Sequence, residues 1–409
     1  MARIKAFKGL RPDQALAPRV AELPYDVLSS AEAKAIAQGK PESFFHISKP
    51  EIDLPEDVSL YDDRVYATGR KNLDAFIEKG ILRKDEHDCM YLYTQVMEGR
   101  EQTGLVACLH IDDYVNELIK KHELTREDKE KDRMRHMDEL NAQAGLVFTF
   151  YKDEGKGRDL FDRALKTAPV YDFTTGDGIR HVFRVLDDTS LIADFTAMIA
   201  PMQLYIADGH HRAASAVKLG LARRAAGKTS ADREEFNWFM AVVFPHSQLK
   251  IFPYNRVVKD LHGMTPAQFM EKLSAKFTLS KTPAKTPPRG HSFCMYLEKQ
   301  WYLMEPRFPL PSGPIERLDV SILQTEVLDP LLGISDPRRD KRIDFIGGIR
   351  GSGELERVVD AGEFELAFSM YATTLEELIS VADINGLMPP KSTWFEPKLR
   401  SGIVLHRLD

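Results

Sequence analysis

The sequence predicts an α+β fold, mixed sheets with flanking helices, on three observations. The strand candidates 90–96 (MYLYTQV) and 103–111 (TGLVACLHI) follow one another through a Gly-containing turn, as the arms of an antiparallel hairpin do. Helical patterns separate many of the other strand candidates, so the class is mixed α and β, and the hairpin favours α+β over a purely parallel sheet. Residues 203–217, QLYIADGHHRAASAV, run from an apolar strand through one glycine into an alanine-rich helix.

Along the chain, β-branched and aromatic residues concentrate at 90–96, 103–111, 145–151, 179–186, 203–207, 238–244, 251–258, 293–304 and 366–371, where strands are expected. Apolar residues recur at helical spacing over 30–38, 62–78, 158–167, 210–226, 267–276 and 374–382. Pro24 punctuates the loop before the first helix, and Ser29 or Ser30 is placed to cap it. Pro, Lys and Thr crowd 281–289 (KTPAKTPPR), an exposed connector by composition. Three regions are expected: 1–190, an α/β region with an acidic loop and a charged helix; 191–280, the core around DGHHR; and 281–409, an α+β region with substrate loops. Sequence-distant pieces are expected to meet at one site.

The composition excludes several classes. With 56 basic against 62 acidic residues the net charge is −6, so no global attraction to nucleic acid or anionic membrane is expected. No window approaches a membrane span, and MARIKAFKGLRP has no apolar core of a signal peptide. Cys89, Cys108 and Cys294 are scattered, without a Cys-x-x-Cys pair, which argues against a disulfide framework and a thiolate zinc site. A reducing, cytoplasmic setting is the expectation.

The residues with most chemistry lie at 208–212. A glycine between strand and helix lets backbone approach a ligand, and the first helical amides point at it with the positive end of the dipole. His210, His211 and Arg212 then occupy the first turn, where charge-assisted bonds to phosphate oxygens are strongest. Helix starts normally favour acidic residues, so this basic turn asks for an anion. Asp208, at the strand end, is placed to hold a metal ion or orient a histidine.

Residues 120–135 (KKHELTREDKEKDRMR) bring His122, Arg126, Lys129 and Arg133 near one another at helical spacing, with Glu123, Glu127 and Glu130 interleaved. A solvated helix with Glu127–Lys131 and Arg126–Glu130 pairs explains this run. The alternative is a polar cleft in which Arg126 and Lys129 meet phosphates and Glu123 ligates a metal or takes a proton. Asp26, on a proline-marked loop, is suited to abstract a proton from a hydroxyl. DPRRDKRIDFIGGIRGSG (336–353) offers a weak phosphate cradle. Lys391, Ser392 and Thr393, between prolines and a Trp-Phe pair, make either a substrate loop or a packed anchor.

The segments ARIKAFKGLRP, HELTREDKEKDR (122–133), IADGHHR (206–212), YNRVV (254–258), RIDFIGGIRG (342–351) and MPPKSTWFEPKLRSG (388–402) together resemble the domain-of-unknown-function family ten-fifteen. In that family the Asp-Gly-His-x-Arg loop is similar to that of serine kinases of the ParB and sulfiredoxin superfamily. The resemblance implies a ParB/sulfiredoxin-like nucleotide-binding core with an additional C-terminal region. It implies transfer of a phosphoryl group from ATP or ADP to free L-serine, giving O-phosphoserine. By the same resemblance Asp208 meets magnesium or substrate, Gly209 to Arg212 form the phosphate-binding turn with His210 also catalytic, and Asp26 is the base, with Glu123 as alternative. His211 stands where those kinases commonly carry threonine. The expected partners are a nucleotide and a small amino acid. Two other classes remain open: a non-catalytic nucleotide-binding regulator, and a metal-dependent phosphohydrolase using His210, His211 and Asp208.

Overall fold

Strands form where β-branched and aromatic residues concentrate, and the computed structural model pairs them into four sheets among the described residues, which are 1–227 and 232–409. The chain groups into two compact units. One takes Met1–Lys121, Thr125–Leu249 and Pro397–Asp409, and the other His122–Leu124 and Lys250–Glu396.

The first unit holds a nine-stranded mixed sheet. From one edge its strands run Ile119–Lys120, Leu204–Asp208, Val147–Tyr151, Trp238–Pro245, Arg100–His110, Met90–Met97, Arg180–Leu186 and Tyr171–Thr174, with Ile4–Lys5 added to Arg100–His110. Met90–Met97 and Arg100–His110 form the expected hairpin, turning through Glu98 and Gly99, both at positive φ (52° and 77°). Leu105 to Leu109 are completely buried, as a central strand requires. Helices Glu127–Leu140, Thr189–Ile199 and His210–Ala225 pack into the core of this sheet, while Asp63–Glu78 packs through Leu73 and Phe76 with strands of a small sheet. Asp188 starts helix Thr189–Ile199 by accepting the Ser190 and Leu191 amides at 2.8 and 3.2 Å. Ser29 is the cap of helix Ser30–Ala37, in a capping box with Glu32. That small sheet joins Leu82–Lys84, Gly9–Pro12, Leu405–Arg407 and Ala142–Gln143, so the chain's last strand lies between two early ones.

The second unit is built on an antiparallel six-stranded sheet in the order Phe277–Lys281, Gln300–Pro306, Phe293–Leu297, Leu366–Ser369, Tyr254–Val258 and Ile343–Gly347. Its core gathers Val257, Cys294, Tyr296, Trp301, Leu355, Val358 and Ala367.

The sequence suggested three regions. Leu204–Asp208 pairs with Val147–Tyr151, which puts residues on both sides of position 190 in one sheet. The KTPAKTPPR connector is largely exposed, but it joins two strands of the second unit's sheet. The α+β class, with mixed sheets and flanking helices, is what the chain adopts.

Candidate active site

Leu204–Asp208 runs antiparallel to Val147–Tyr151 with a register shift between Ile206 and Asp208, and Gly209 then turns the chain into helix His210–Ala225. Gly209 has φ +89°, the left-handed region that glycine alone enters freely. Space also demands it, because a Cβ there would lie 3.0 Å from Cζ and 3.1 Å from Nε of Arg212. The room that Gly209 leaves is filled by the chain's own arginine.

Arg212 is buried and turned inward. Its Nη2 donates to Asp208 Oδ2 at 2.8 Å and stands 3.5 Å from Asp26 Oδ2, its Nη1 donates to the Leu146 carbonyl, and its Nε is buried without an acceptor among the described residues. Burial opposes the charge, but Asp26 and Asp208 outweigh it and hold the guanidinium above its usual range. Asp208 accepts from Lys398 Nζ on its other oxygen at 3.3 Å. Burial would raise that carboxyl, yet Lys398 and Arg212 hold it well below the ordinary carboxylate range. Asp26 is exposed. Next to it, burial and the Asp26 charge push the Tyr25 phenol up, and Arg133 lies 4.4 Å over the Tyr25 ring.

His210 is buried at the helix start. His211 Nε2 accepts the Arg126 backbone amide at 3.0 Å, which places the proton of the neutral ring on Nδ1. Burial, with Arg126 and Arg212, lowers the His211 pKa against the pull of Asp26 and Glu130. Arg126 stands at the N-cap position of helix Glu127–Leu140 without a side-chain capping bond and pairs with Asp128 at 2.7 Å. Lys129 donates to the Tyr61 hydroxyl at 3.3 Å. Of the two expected helical pairs, Glu127–Lys131 forms at 2.7 Å. Arg126–Glu130 does not, because Glu130 is drawn inward to Lys218 and Thr125. His122 and Glu123 precede the helix and belong to the second unit, so helical spacing does not carry them to its face. Beneath the elbow a cavity of about 40 Å³, lined by Tyr25, Ser48, Arg133, His136, Gly145 and Arg212 among others, has room for a few waters.

Lys391, Ser392 and Thr393 also lie in the second unit. Lys391 is left-handed (φ +58°) with its Nζ 5.2 Å over the Tyr254 ring. The Ser392 hydroxyl donates to the Pro389 carbonyl at 2.6 Å, and its own carbonyl accepts from Thr373 at 2.9 Å. Thr393 Oγ1 is 3.5 Å from His122 Nε2. The Ser392 bonds are those of an anchor.

The elbow therefore gathers Asp26, Asp208, Gly209, His210, His211 and Arg212, with Arg126 reaching it through its backbone. Sequence reasoning passed over Lys398 and Tyr25 as site residues, and read Arg133 only as one of a charged cluster. Lys398 stands in the quoted segment EPKLRSG, and its neighbour Pro397 was the only local signal that the lysine is held in place. Magnesium fits poorly at Asp208, since both carboxylate oxygens already accept from cations. Among the described residues no three His, Cys, Asp or Glu side chains group closely enough to hold a metal ion, so His210, His211 and Asp208 do not form the ligand set a phosphohydrolase would need. No helix is long and apolar enough to cross a membrane, among the described residues.

Fold and site define an α+β protein whose strand–glycine–helix elbow carries two basic side chains matched by two carboxylates. Residues 4–321 match the family described as Protein of unknown function (DUF1015), and the chain belongs to that family. No curated protein matches its sequence. Among solved structures it is similar to a free serine kinase in complex with AMP, at 15% identity and TM-score 0.36, over 71% of this chain and 86% of that one. It is similar to a conserved hypothetical protein from Pyrococcus furiosus, at 15% identity and TM-score 0.34, over 71% and 90%. A C-terminally truncated SbnI from Staphylococcus aureus matches at 10% identity and TM-score 0.39, over 72% and 85%.

Proposed function

We propose that the protein is a nucleotide-dependent phosphotransferase acting on a small-molecule hydroxyl, with ATP or ADP as donor and free L-serine as acceptor. One observation carries the reading. The helix beginning at His210 is 16 residues long, has no acidic residue in its first turn and no side-chain cap, and starts beside Arg212 and Lys398. The first amides of any helix lack partners within it and carry the positive end of its dipole, an arrangement that suits an anion, and a nucleotide's terminal phosphate is such an anion.

On this reading the acceptor oxygen bonds to the terminal phosphorus as the bond from phosphorus to the bridging oxygen breaks. The hydroxyl proton passes to Asp26, and the donor departs one phosphate shorter. The elbow amides, His211 and Lys398 answer the charge on the phosphoryl oxygens. Arg212 holds Asp26 and Asp208 in register. Serine as acceptor rests on the family resemblance. Magnesium enters only as the ion a nucleotide carries in solution, and no step is drawn through it. A cytoplasmic setting without nucleic-acid or membrane partners belongs to the same proposal.

The test is incubation of the purified protein with magnesium and ATP or ADP against a panel of amino acids, followed by phosphorus NMR. A new phosphomonoester, O-phosphoserine first, is the expected result. No phosphomonoester with any donor and acceptor overturns the proposal, and inorganic phosphate alone would favour a phosphohydrolase.

A further inference from the structure

Three arginines are buried among the described residues: Arg212, Arg256 and Arg400, at 7%, 3% and 5% exposure. Arg212 meets Asp208 and Asp26, and Arg400 meets Asp177. Arg256, the most buried, meets no carboxylate among the described residues. Its Nη1 donates to the Tyr254 carbonyl and its Nη2 to the Lys391 carbonyl at 3.0 Å, and its guanidinium lies 5.4 Å from the centre of the Phe345 ring, its cross-strand neighbour. Two carbonyl dipoles and a ring face supply only partial negative charge. A full cation held in such a place without a counter-ion is costly. Burial accordingly pulls its pKa down to about 10. Among the described residues its five N–H donors make two bonds to protein.

Arg256 borders a cavity. Arg256, Gln324, Ser335, Asp336, Arg338 and Phe345 are among the residues lining a space of about 260 Å³ that lies wholly within the second unit. The carboxylate there, Asp336, is already taken by Arg338 at 3.0 Å and approached by Arg339 at 3.8 Å. It does not neutralise Arg256. The loop that supplies the Lys391 carbonyl follows two prolines and holds Lys391 at positive φ, a conformation that persists only where surroundings enforce it. The chain thus builds a rigid frame around an arginine whose charge it leaves unanswered.

We propose that this cavity is a binding site for a small oxyanion, a phosphate monoester or a carboxylate, which supplies the counter-charge to Arg256. Planar guanidinium donors match either group. The site stands on the second unit's residues alone and does not depend on the phosphotransferase reading.

The experiment uses the full chain with nitrogen-15-labelled arginine. The Arg256 side-chain resonance is assigned by its loss in Arg256→Lys and followed while inorganic phosphate or acetate is added. A saturable shift with phosphate assigns a phosphate monoester, one with acetate a carboxylate, and one with both a general oxyanion site. Ser335→Phe, an exposed position on the cavity lining, fills the space while keeping the arginine in the chain and weakens binding about tenfold or more. Asp26→Asn leaves the titration unchanged, which separates this site from the elbow. No saturable shift with either anion, or a Ser335→Phe protein that titrates like wild type, overturns the proposal.

Discussion

Replacing Gly209 by alanine tests whether the elbow is built around Arg212. At φ +89° an alanine incurs the left-handed penalty of about 1 to 2 kcal/mol. Its Cβ would also press on Arg212 Cζ at 3.0 Å, and Arg212 has little freedom to yield, being buried and tied to Asp208 and the Leu146 carbonyl. Loosening the charged bond to Asp208 adds about 1.5 to 3 kcal/mol, so a loss of about 2.5 to 5 kcal/mol is expected. Gly178 supplies the control: it has φ +79° and open space, with nothing within 4 Å of the point a Cβ would occupy, so Gly178→Ala costs only the left-handed part, about 1 to 2 kcal/mol. Both positions lie in the first unit, and urea unfolding of both variants, followed by fluorescence and circular dichroism together, reads the difference. Equal losses in the two variants would refute the reasoning.

Three further outcomes follow from the same structure. Burial lowers His136 and His181 to about 3, so both are neutral in the folded state and their contribution is complete above the unfolded value near 6.5. It drains away as pH falls from there toward 3, by about 3 kcal/mol per histidine at pH 4.5; urea unfolding that is as stable at pH 4.5 as at pH 7 would contradict this. Cys89 and Cys294 are buried with thiols pushed up to about 11, so the native protein should react with a thiol reagent at pH 8 far more slowly than the urea-unfolded chain, and equal rates would count against the burial. Asp26→Asn should lower phosphoryl transfer by roughly 100-fold to 10,000-fold, with some loss of melting temperature because Asp26 faces buried Arg212 at 3.5 Å; turnover within a few fold of wild type removes Asp26 from its role.

The strands were legible because they are dense in β-branched and aromatic residues, and that density survives without tertiary context. The run 293–304 read as one strand because its turn contains no glycine or proline. Glu298 and Lys299 instead take positive φ (48° and 61°), and the chain folds back as Phe293–Leu297 and Gln300–Pro306. Helix Gly351–Asp360 was hidden by the glycines at its start, which read as loop. Helix Thr189–Ile199 could have been found from Asp188, the residue that caps it. At the elbow, the strand, glycine and basic turn are local in sequence and could be read directly. Lys398 reaches Asp208 across 190 positions, and no periodicity records such a contact. Arg256 was invisible for a different reason: YNRVV looks like any strand, and only burial without a carboxylate marks the arginine out.

The charges of the elbow cancel before any ligand arrives, Arg212 and Lys398 against Asp26 and Asp208. A phosphate bound on the helix amides therefore adds negative charge beside two carboxylates. Like charge weakens the hold on that phosphate. Asp208 is answered by two direct cation contacts, whereas Asp26 has Arg212 at 3.5 Å and lies exposed, so Asp26 is the carboxylate whose removal eases the repulsion. Asp26→Asn should therefore bind ADP more tightly than the wild-type protein even as phosphoryl transfer falls. Calorimetric titration of ADP into the two proteins measures the difference. Equal ADP affinity in both would show that the phosphate does not sit beside Asp26.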